Sequence, residues 1–296
     1  MKDVKALTIT YLVKTSIASL NGSDREADNI SSIKKISRGV DQFPYGSSQW
    51  VRRALRDQLE TMGWELSPMV PASIKKGAAT TMQDPVNYID DDLFGFMGTS
   101  KGEEDTKGSS TKRTSPVRVS PLISLERYLG DLDYGTNYMA VKAGGDPNIF
   151  ETEIHSGIYR GTILIELDRV GCGEGFAQDL SAEEKARRVI ALLDSLKNLW
   201  STGRQTRFLA DISPKFLAAA LMRVKNPIFL ETVSVGEEGV SISAIEETLK
   251  DYQKEIVESV IGGRKDIFTN LPDYAVSIGQ AFETMEVWVK KFYKVE

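Results

Sequence analysis

Two acidic runs in this 296-residue chain carry the residue types for metal-assisted phosphodiester chemistry. "DREAD", Asp24 to Asp28, and "DDD", Asp90 to Asp92, could each offer hard oxygen ligands to Mg²⁺. Neither run has a partner histidine and both read as loop segments, so solvated loop acids are expected, with Asp92 capping a turn. His155 is the single histidine; no serine or cysteine nucleophile pattern stands beside it, and it reads as a surface or interface residue. "GCGEGF", 171–176, sits where a dinucleotide fingerprint would, but Phe176 occupies the third glycine position and no acid-ending strand follows at the proper distance. A turn is expected there. No Gly-rich loop ends in Gly-Lys-Ser or Gly-Lys-Thr, which excludes a P-loop. "LFGFM" overlaps an RNA-recognition signature, yet Asp92 and Leu93 stand where that signature wants a base and a glycine, so core packing is expected. The lone Cys172 and lone His155 exclude a disulfide framework and a Cys- or His-rich metal centre; no metal and no cofactor are expected.

The strongest chemical signal is basic. In "QFPYGSSQWVRRALRDQL", 42–59, a helix opens at Ser47 or Ser48 and carries Arg52, Arg53 and Arg56 towards the positive end of its own dipole. Arg52 and Arg56 are one turn apart and repel by roughly a few tenths of a kcal/mol, which Asp57 and Glu60 relieve in part. A solvated face with salt bridges is the ordinary reading of such a run. A phosphate at the helix opening would change its meaning. The free N–H groups, the Ser47 and Ser48 hydroxyls, the Gln49 amide and the arginines would then all donate to one anion.

Several elements must position this helix. Residues 5–17 alternate, with Leu7, Ile9, Tyr11 and Val13 on one face of a first strand, and a polar loop "SLNGSDREADNISS" follows. Val51, Leu55, Leu59 and Met62 recur at helical spacing and should pack the basic helix on a sheet. A strand is expected after Trp64, and "TSKGEEDTKGSSTKRTSP", 99–116, reads as a mobile loop. "SPVRVSPLISLERYL" suggests an edge strand and a short helix. The stretch from Tyr138 to Arg160 suggests two extended arms joined through Gly144–Pro147 and running on into a strand at Ile163–Leu167. Capping boxes at Ser181/Glu184 and Ser243/Glu246 predict helices over 182–200 and from 243 to Gly262 and Gly263, with "RFLADI" as a strand between them. A closing amphipathic helix carries Met285, Val287, Trp288 and Phe292. Reduced to its core, the order strand, helix, strand, strand, helix, strand is that of the ferredoxin-like split βαβ shared by RNA-recognition domains.

Composition sets bounds on all of this. At 41% hydrophobic and 27% charged, the chain can bury a sizeable core. The N-terminus alternates and is no signal peptide, no stretch is long enough to span a membrane, and a cytoplasmic setting is expected. Net charge is −5, which argues against nucleic acid until the charge is mapped. Lys34 to Arg56 is net +5, with Lys34, Lys35, Arg38, Arg52, Arg53 and Arg56 against Asp41 alone, and Lys107 to Arg118 adds Lys107, Lys112, Arg113 and Arg118 with no acid. A phosphate backbone responds to that local charge.

"SLNGSDREADNISSIKK" followed by "YGSSQWVRRALRDQL" resembles the N-terminal signature of the backbone subunit of type I CRISPR Cascade complexes, of the DevR autoregulator type seen in subtype I-B. The likeness continues through "DDLFGFM", "SPVRVSPLISLERY", "ETEIHSGIYRG" and "GRQTRFLADISP", to about residue 215. It implies an α+β fold with a ferredoxin-like (RRM-like) palm at about 4–62, 117–137 and 158–240. Fingers would lie at about 63–116, a thumb hairpin at about 138–160 and a C-terminal helical region at about 241–296. By motif, Asn21 closes the first strand, Lys34 and Lys35 reach RNA, and Ser47, Ser48, Gln49, Arg52, Arg53 and Arg56 form the phosphate site. Lys112, Arg113 and Arg118 join them from the second basic segment, and Met139, Lys142, Phe150 and His155 are thumb contacts. Gly22 departs from other type I lineages, which place a base there. The implied role is a non-enzymatic protein that polymerises head to tail on CRISPR RNA in a type I complex. Its partners would be the guide, target DNA through the guide, further copies of itself and other Cascade subunits, with no membrane. The alternative is a metal-dependent ribonuclease of the type III backbone kind, using Asp24 or Asp28.

Overall fold

The strand Ala6–Ala18 is buried on both faces through Val13: Leu7, Ile9, Tyr11 and Val13 face one side, and Ala6, Thr8, Thr10 and Leu12 face the other. A computed structural model describes residues 3–27, 30–70, 79–99, 110–137, 139, 142, 144–145, 148–200 and 207–296. In it this strand is central, pairing antiparallel with His155–Glu166 on one side and with Phe216–Met222 on the other. The sheet runs Ile256–Gly263, Phe216–Met222, Ala6–Ala18, His155–Glu166, Leu122–Ser124, Asp41–Gly46 and Lys35–Arg38, with Val117–Val119 also on His155–Glu166. Every pairing in it is antiparallel. The fold is mixed α+β.

Helices are labelled α1 (Ser48–Thr61), α2 (Ile89–Phe94), α3 (Ala182–Lys197), α4 (Ile242–Asp251) and α5 (Ile278–Tyr293). Val51, Ala54, Leu55 and Leu59 of α1 join Val189, Leu192 and Leu196 of α3 and Phe282, Met285 and Trp288 of α5 on the Leu7/Ile9/Tyr11 face. Met62, expected to extend that stripe, lies past the end of α1 and is exposed. The opposite face is covered as well. Ile228, Phe229, Val233, Ile245 and Phe268 pack on Leu12, Phe216, Ala218 and Met222 as a second core.

Several expectations are corrected. "RFLADI" is no strand; only the bridge Trp200–Asp211 forms there, and the strand is the next apolar run, "FLAAALM", buried along its whole length as a two-sided central strand requires. The helix expected to reach Gly262 ends at Asp251, and Ile256–Gly263 extends the sheet, its Ile256, Val257, Val260 and Ile261 being β-branched. Ser243 caps nothing, since Ser241 stands at that N-cap; Ser181 accepts from the Glu184 N–H, but the Glu184 carboxylate turns to Arg187 and Arg188. The complete capping box is Ser277 with Gln280, opening α5. After Val117–Val119 a second short strand, Leu122–Ser124, replaces the expected short helix.

Two strands form within the polar segment after the first strand. Gly22–Ala27 and Ile30–Ile33 pair antiparallel, and Ile30–Ile33 lies parallel to Asn148–Glu153, itself paired to Leu132–Asn137. Ser110–Arg113, placed in a loop from sequence, pairs with Phe96–Thr99. The acids Asp90, Asp91 and Asp92 are not solvated but buried in α2. Gly95 ends α2 at φ 68°, and a Cβ there would stand 2.2 Å from the Arg113 carbonyl, so only glycine fits. Among the described residues no helix is long and apolar enough to cross a membrane.

Candidate nucleic-acid interface

Strand end and helix start meet at Asn21 and Ser47. Asn21 takes a left-handed backbone, φ 48°, which its short polar side chain tolerates. Its Oδ1 accepts from Ser47 Oγ at 3.4 Å, while Ser47 caps α1 by accepting from the Trp50 N–H at 3.3 Å. The Asn21 Nδ2 is buried without a partner. Ser48 donates to Gln49 Oε1 at 3.4 Å, and no acidic residue of α1 stands in its first turn to offset the positive end of the dipole.

The three arginines of α1 divide. Arg53 is exposed and pairs with Asp57 one turn on, Nε to Oδ1 2.7 Å. Arg56 donates to the buried Asp90 at 3.1 Å and lies over the Phe94 ring at 4.6 Å, so its charge is spent fixing α2. Arg52 has neither anchor. Its Nε is buried with no partner, and desolvation, with Arg56 and Arg118 nearby, holds its guanidinium below the usual arginine range. Two buried N–H donors thus stand unmatched near the start of α1, each at a cost of about 1–3 kcal/mol.

The remaining predicted contacts scatter. Lys34 is half-exposed, its backbone tied to Asn21 and Tyr45. Lys35 is committed elsewhere: its Nζ is 2.6 Å from Glu153 and 4.6 Å from the Tyr128 ring centre. Lys112 is exposed on Ser110–Arg113. Arg113 is a correction. Its side chain is buried and all five of its donors are used, on the Asp92 carbonyl and carboxylate and on the Arg169, Cys172 and Glu174 carbonyls, leaving none for a phosphate. Arg118 is exposed, with Nε 2.6 Å from Glu166. Met139 and Lys142 are exposed; Phe150 lies over Gly135 and under the Arg207 guanidinium at 4.9 Å.

His155 is the second correction. It is buried, with Nε2 3.3 Å from Ser124 Oγ, Nδ1 2.8 Å from the Ser156 carbonyl, and Tyr128 and Tyr159 about its ring. Burial pushes its pKa down, and neither nitrogen faces an open surface. Of the nuclease candidates, Asp24 lies on the strand Gly22–Ala27 and Asp28 falls outside the described residues. Among the described residues no group of three His, Cys, Asp or Glu could hold a metal ion. Sequence reasoning missed Lys225, Arg169 and Glu166; the first two and Arg118, three cations in all, converge on the one buried Glu166 carboxylate. The sequence signal was a lone acid, Glu166, directly after the apolar run Ile163–Ile165.

A family profile described as the CRISPR-associated negative auto-regulator DevR/Csa2 matches residues 9–238. The chain belongs to this family. The CRISPR-associated protein Cas7/Cst2/DevR of Myxococcus xanthus is 27% identical over 252 residues, covering 80% of this chain and 79% of that one. Two solved chains share the fold of this DevR/Csa2 member. One, from "CRISPR RNA-guided surveillance complex, pre-nicking", superposes with a TM-score of 0.62 at 13% identity, covering 96% of this chain and 100% of its own. The other, from "CRISPR RNA-guided surveillance complex", gives 0.58 at 15%, with 96% and 99% covered. The family match spans the α1 site and the Arg113–Asp92 pair; Ile256–Gly263 and α5 lie beyond it, although both complete the same core.

Proposed function

We propose that this DevR/Csa2 member is a non-enzymatic CRISPR RNA-binding backbone subunit of a type I, I-B-like, surveillance complex. Copies polymerise head to tail along the guide beside other Cascade subunits in the cytoplasm, and guide–target DNA pairing proceeds on that scaffold in antiviral defence. The observation that carries the reading is the α1 start, where no acid stands in the first turn and Arg52, unlike Arg53 and Arg56, has no carboxylate partner among the described residues. The central strands, in the order Phe216–Met222, Ala6–Ala18, His155–Glu166, Val117–Val119, support a ferredoxin-like palm. The hairpin Leu132–Asn137/Asn148–Glu153 supports a thumb.

Because the second core covers much of the sheet face that RNA-recognition domains use, backbone contacts at the helix start hold the guide irrespective of its sequence, and base pairing does the reading. Lys34, Ser47, Ser48, Gln49 and Arg118 complete the phosphate track, with Lys112, Met139, Lys142 and Phe150 on its flanks. Measuring guide affinity against salt tests this. Arg52→Ala should weaken binding for every spacer and lower the salt slope by about one; an unchanged affinity and slope would sink the assignment. Incubation of the assembled protein with complementary RNA and Mg²⁺ separates it from the ribonuclease alternative, which requires cleavage lost in Asp24→Ala or Asp28→Ala.

A further inference from the structure

"RFLADI", 207–212, forms no strand, yet it connects two parts of the molecule. Ala210 and Ile212 are buried in the same core as α1, and Asp211 takes Lys215 at 2.6 Å, which anchors the segment to the body of the protein. Its first residue reaches out to the hairpin Leu132–Asn137/Asn148–Glu153. Arg207 Nη1 donates to Thr152 Oγ1 at 3.0 Å, and Nη2 donates to Asp133 Oδ2. Asp133 and Thr152 stand directly opposite each other in the antiparallel ladder, so one planar fork spans both strands. Two residues along on the same face, Phe150 stands opposite Gly135, where any side chain would collide with the Phe150 ring. The Arg207 guanidinium lies 4.9 Å from the centre of that ring and 5.1 Å from that of Phe208.

The position of this contact gives it mechanical meaning. Leu132–Asn137 is the edge strand of a four-stranded sheet whose next members are Asn148–Glu153 and Ile30–Ile33. The inner strand, Asn148–Glu153, lies alongside Ile30–Ile33, and its Glu153 accepts from the Ile33 N–H at 2.9 Å and from Lys35 Nζ at 2.6 Å. The outer strand is held to the body through Asp133 and Arg207. Thr152, only 2% exposed, is a buried acceptor matched by the same guanidinium.

We propose that Arg207 is a positioning residue for guide binding: it fixes the two strands of the hairpin and the Phe150 ring in place and does not itself touch the RNA. The inference rests on the reading of this hairpin as a guide contact. The geometry separates a tie from a phosphate donor. Asp133 already meets the charge of Arg207, both terminal nitrogens are engaged within the hairpin, and two rings crowd the guanidinium. A hairpin held in its binding geometry loses less freedom when it meets its ligand, which strengthens binding with no added contact.

The full-length chain is titrated with a single-stranded oligouridine over a range of salt, wild type against Arg207→Ala, Arg207→Lys and Asp133→Ala. As a tie, Arg207→Ala should lower affinity by about tenfold with the salt slope unchanged, and Arg207→Lys should not restore it, because an ammonium cannot span two strands. Asp133→Ala removes an acid, which by charge alone would tighten RNA binding; as half of the tie it should weaken binding instead, and combining it with Arg207→Ala should add nothing further. Amide exchange at 132–137 should quicken in each variant while the melting temperature stays near that of wild type. Full recovery in Arg207→Lys, a salt slope lowered by about one in Arg207→Ala, tighter binding by Asp133→Ala, or wild-type affinity in all three overturns the proposal. The RNA-binding reading survives those results as long as Arg52→Ala still weakens binding. If Arg207→Ala fails to fold, the sign of the effect of Asp133→Ala, at a side chain 37% exposed, decides the same question. A wild-type chain that binds no RNA overturns both readings together.

Discussion

Arg113 donates to Asp92 across 2.5 Å with both side chains almost wholly out of solvent, at 1% and 0% exposure. A second arginine, Arg188 of α3, approaches the same carboxylate at 2.8 Å, and the Gly171 N–H donates to both of its oxygens at 3.1 Å. Residues that sequence reading assigned to a solvated acid run and to a basic RNA-binding loop are thus two halves of one buried hub. The hub ties α2, the Phe96–Thr99/Ser110–Arg113 hairpin and α3 together.

Asp92→Ala should therefore destabilise the fold severely. It leaves the buried Arg113 guanidinium without a counter-charge and Arg188 with Glu184 alone, a change that typically costs about 3–5 kcal/mol. Denaturant unfolding of the purified chain measures it. Arg113→Ala should fall in the same range, whereas Lys112→Ala, at an exposed neighbour, should lie within about 0.5 kcal/mol of wild type.

The α1 arginines should separate by function. Arg52→Ala should reduce guide affinity by about tenfold with little change in stability, because its Nε has no internal partner to lose. Arg53→Ala should leave affinity within a factor of about two, since its guanidinium is already committed to Asp57 at 2.7 Å. Arg56→Ala should register chiefly in stability, having stripped Asp90 of its cation. Equal affinity losses in all three would contradict the division.

Ser47→Ala removes the hydroxyl that both caps α1 and orients Asn21. About 1 kcal/mol of stability should go with the cap. Affinity for single-stranded RNA should fall in parallel, and Ser47→Thr should restore most of both. An affinity loss in Ser47→Ala without a matching loss of stability would mean the hydroxyl contributes beyond the cap.

His155 gives the chain a response to mild acid. Burial holds its pKa below the ordinary histidine value, so the unfolded chain takes up a proton before the folded one does. The stability it contributes is present above the unfolded value, near pH 6.5, and is lost as pH falls through the lower folded value. In His155→Phe the melting temperature should lose its dependence on pH over that window; a wild-type slope retained in the variant would place the titration elsewhere.

Much of the architecture was legible in the chain. The alternation at Leu7, Ile9, Tyr11 and Val13 and the stripe Val51, Leu55, Leu59 are local periodicities, and the first strand, α1 and α5 follow them closely. What misled were segments whose periods are ambiguous alone: "SISAIEETLKDYQKEIVESVIGG" continues as a helix on paper, but its β-branched second half completes a sheet edge beside Phe216–Met222. A run such as "FLAAALM" cannot declare itself a strand until two neighbours bury both its faces.

The sequence by itself determined where positive charge is concentrated, that α1 opens at a serine cap with arginines in its first turns, and which family signature surrounds it. Only the tertiary structure decided which of those charges are free. Arg56 and Asp90 are 34 residues apart, Arg113 and Asp92 are 21 apart, and Arg188 and Asp92 are 96 apart. Periodicity is written in spacings of two to four residues, but desolvation is set by whatever distant segment packs over a side chain. An arginine is therefore a phosphate donor or a buried tie according to partners its own neighbourhood in the sequence does not contain.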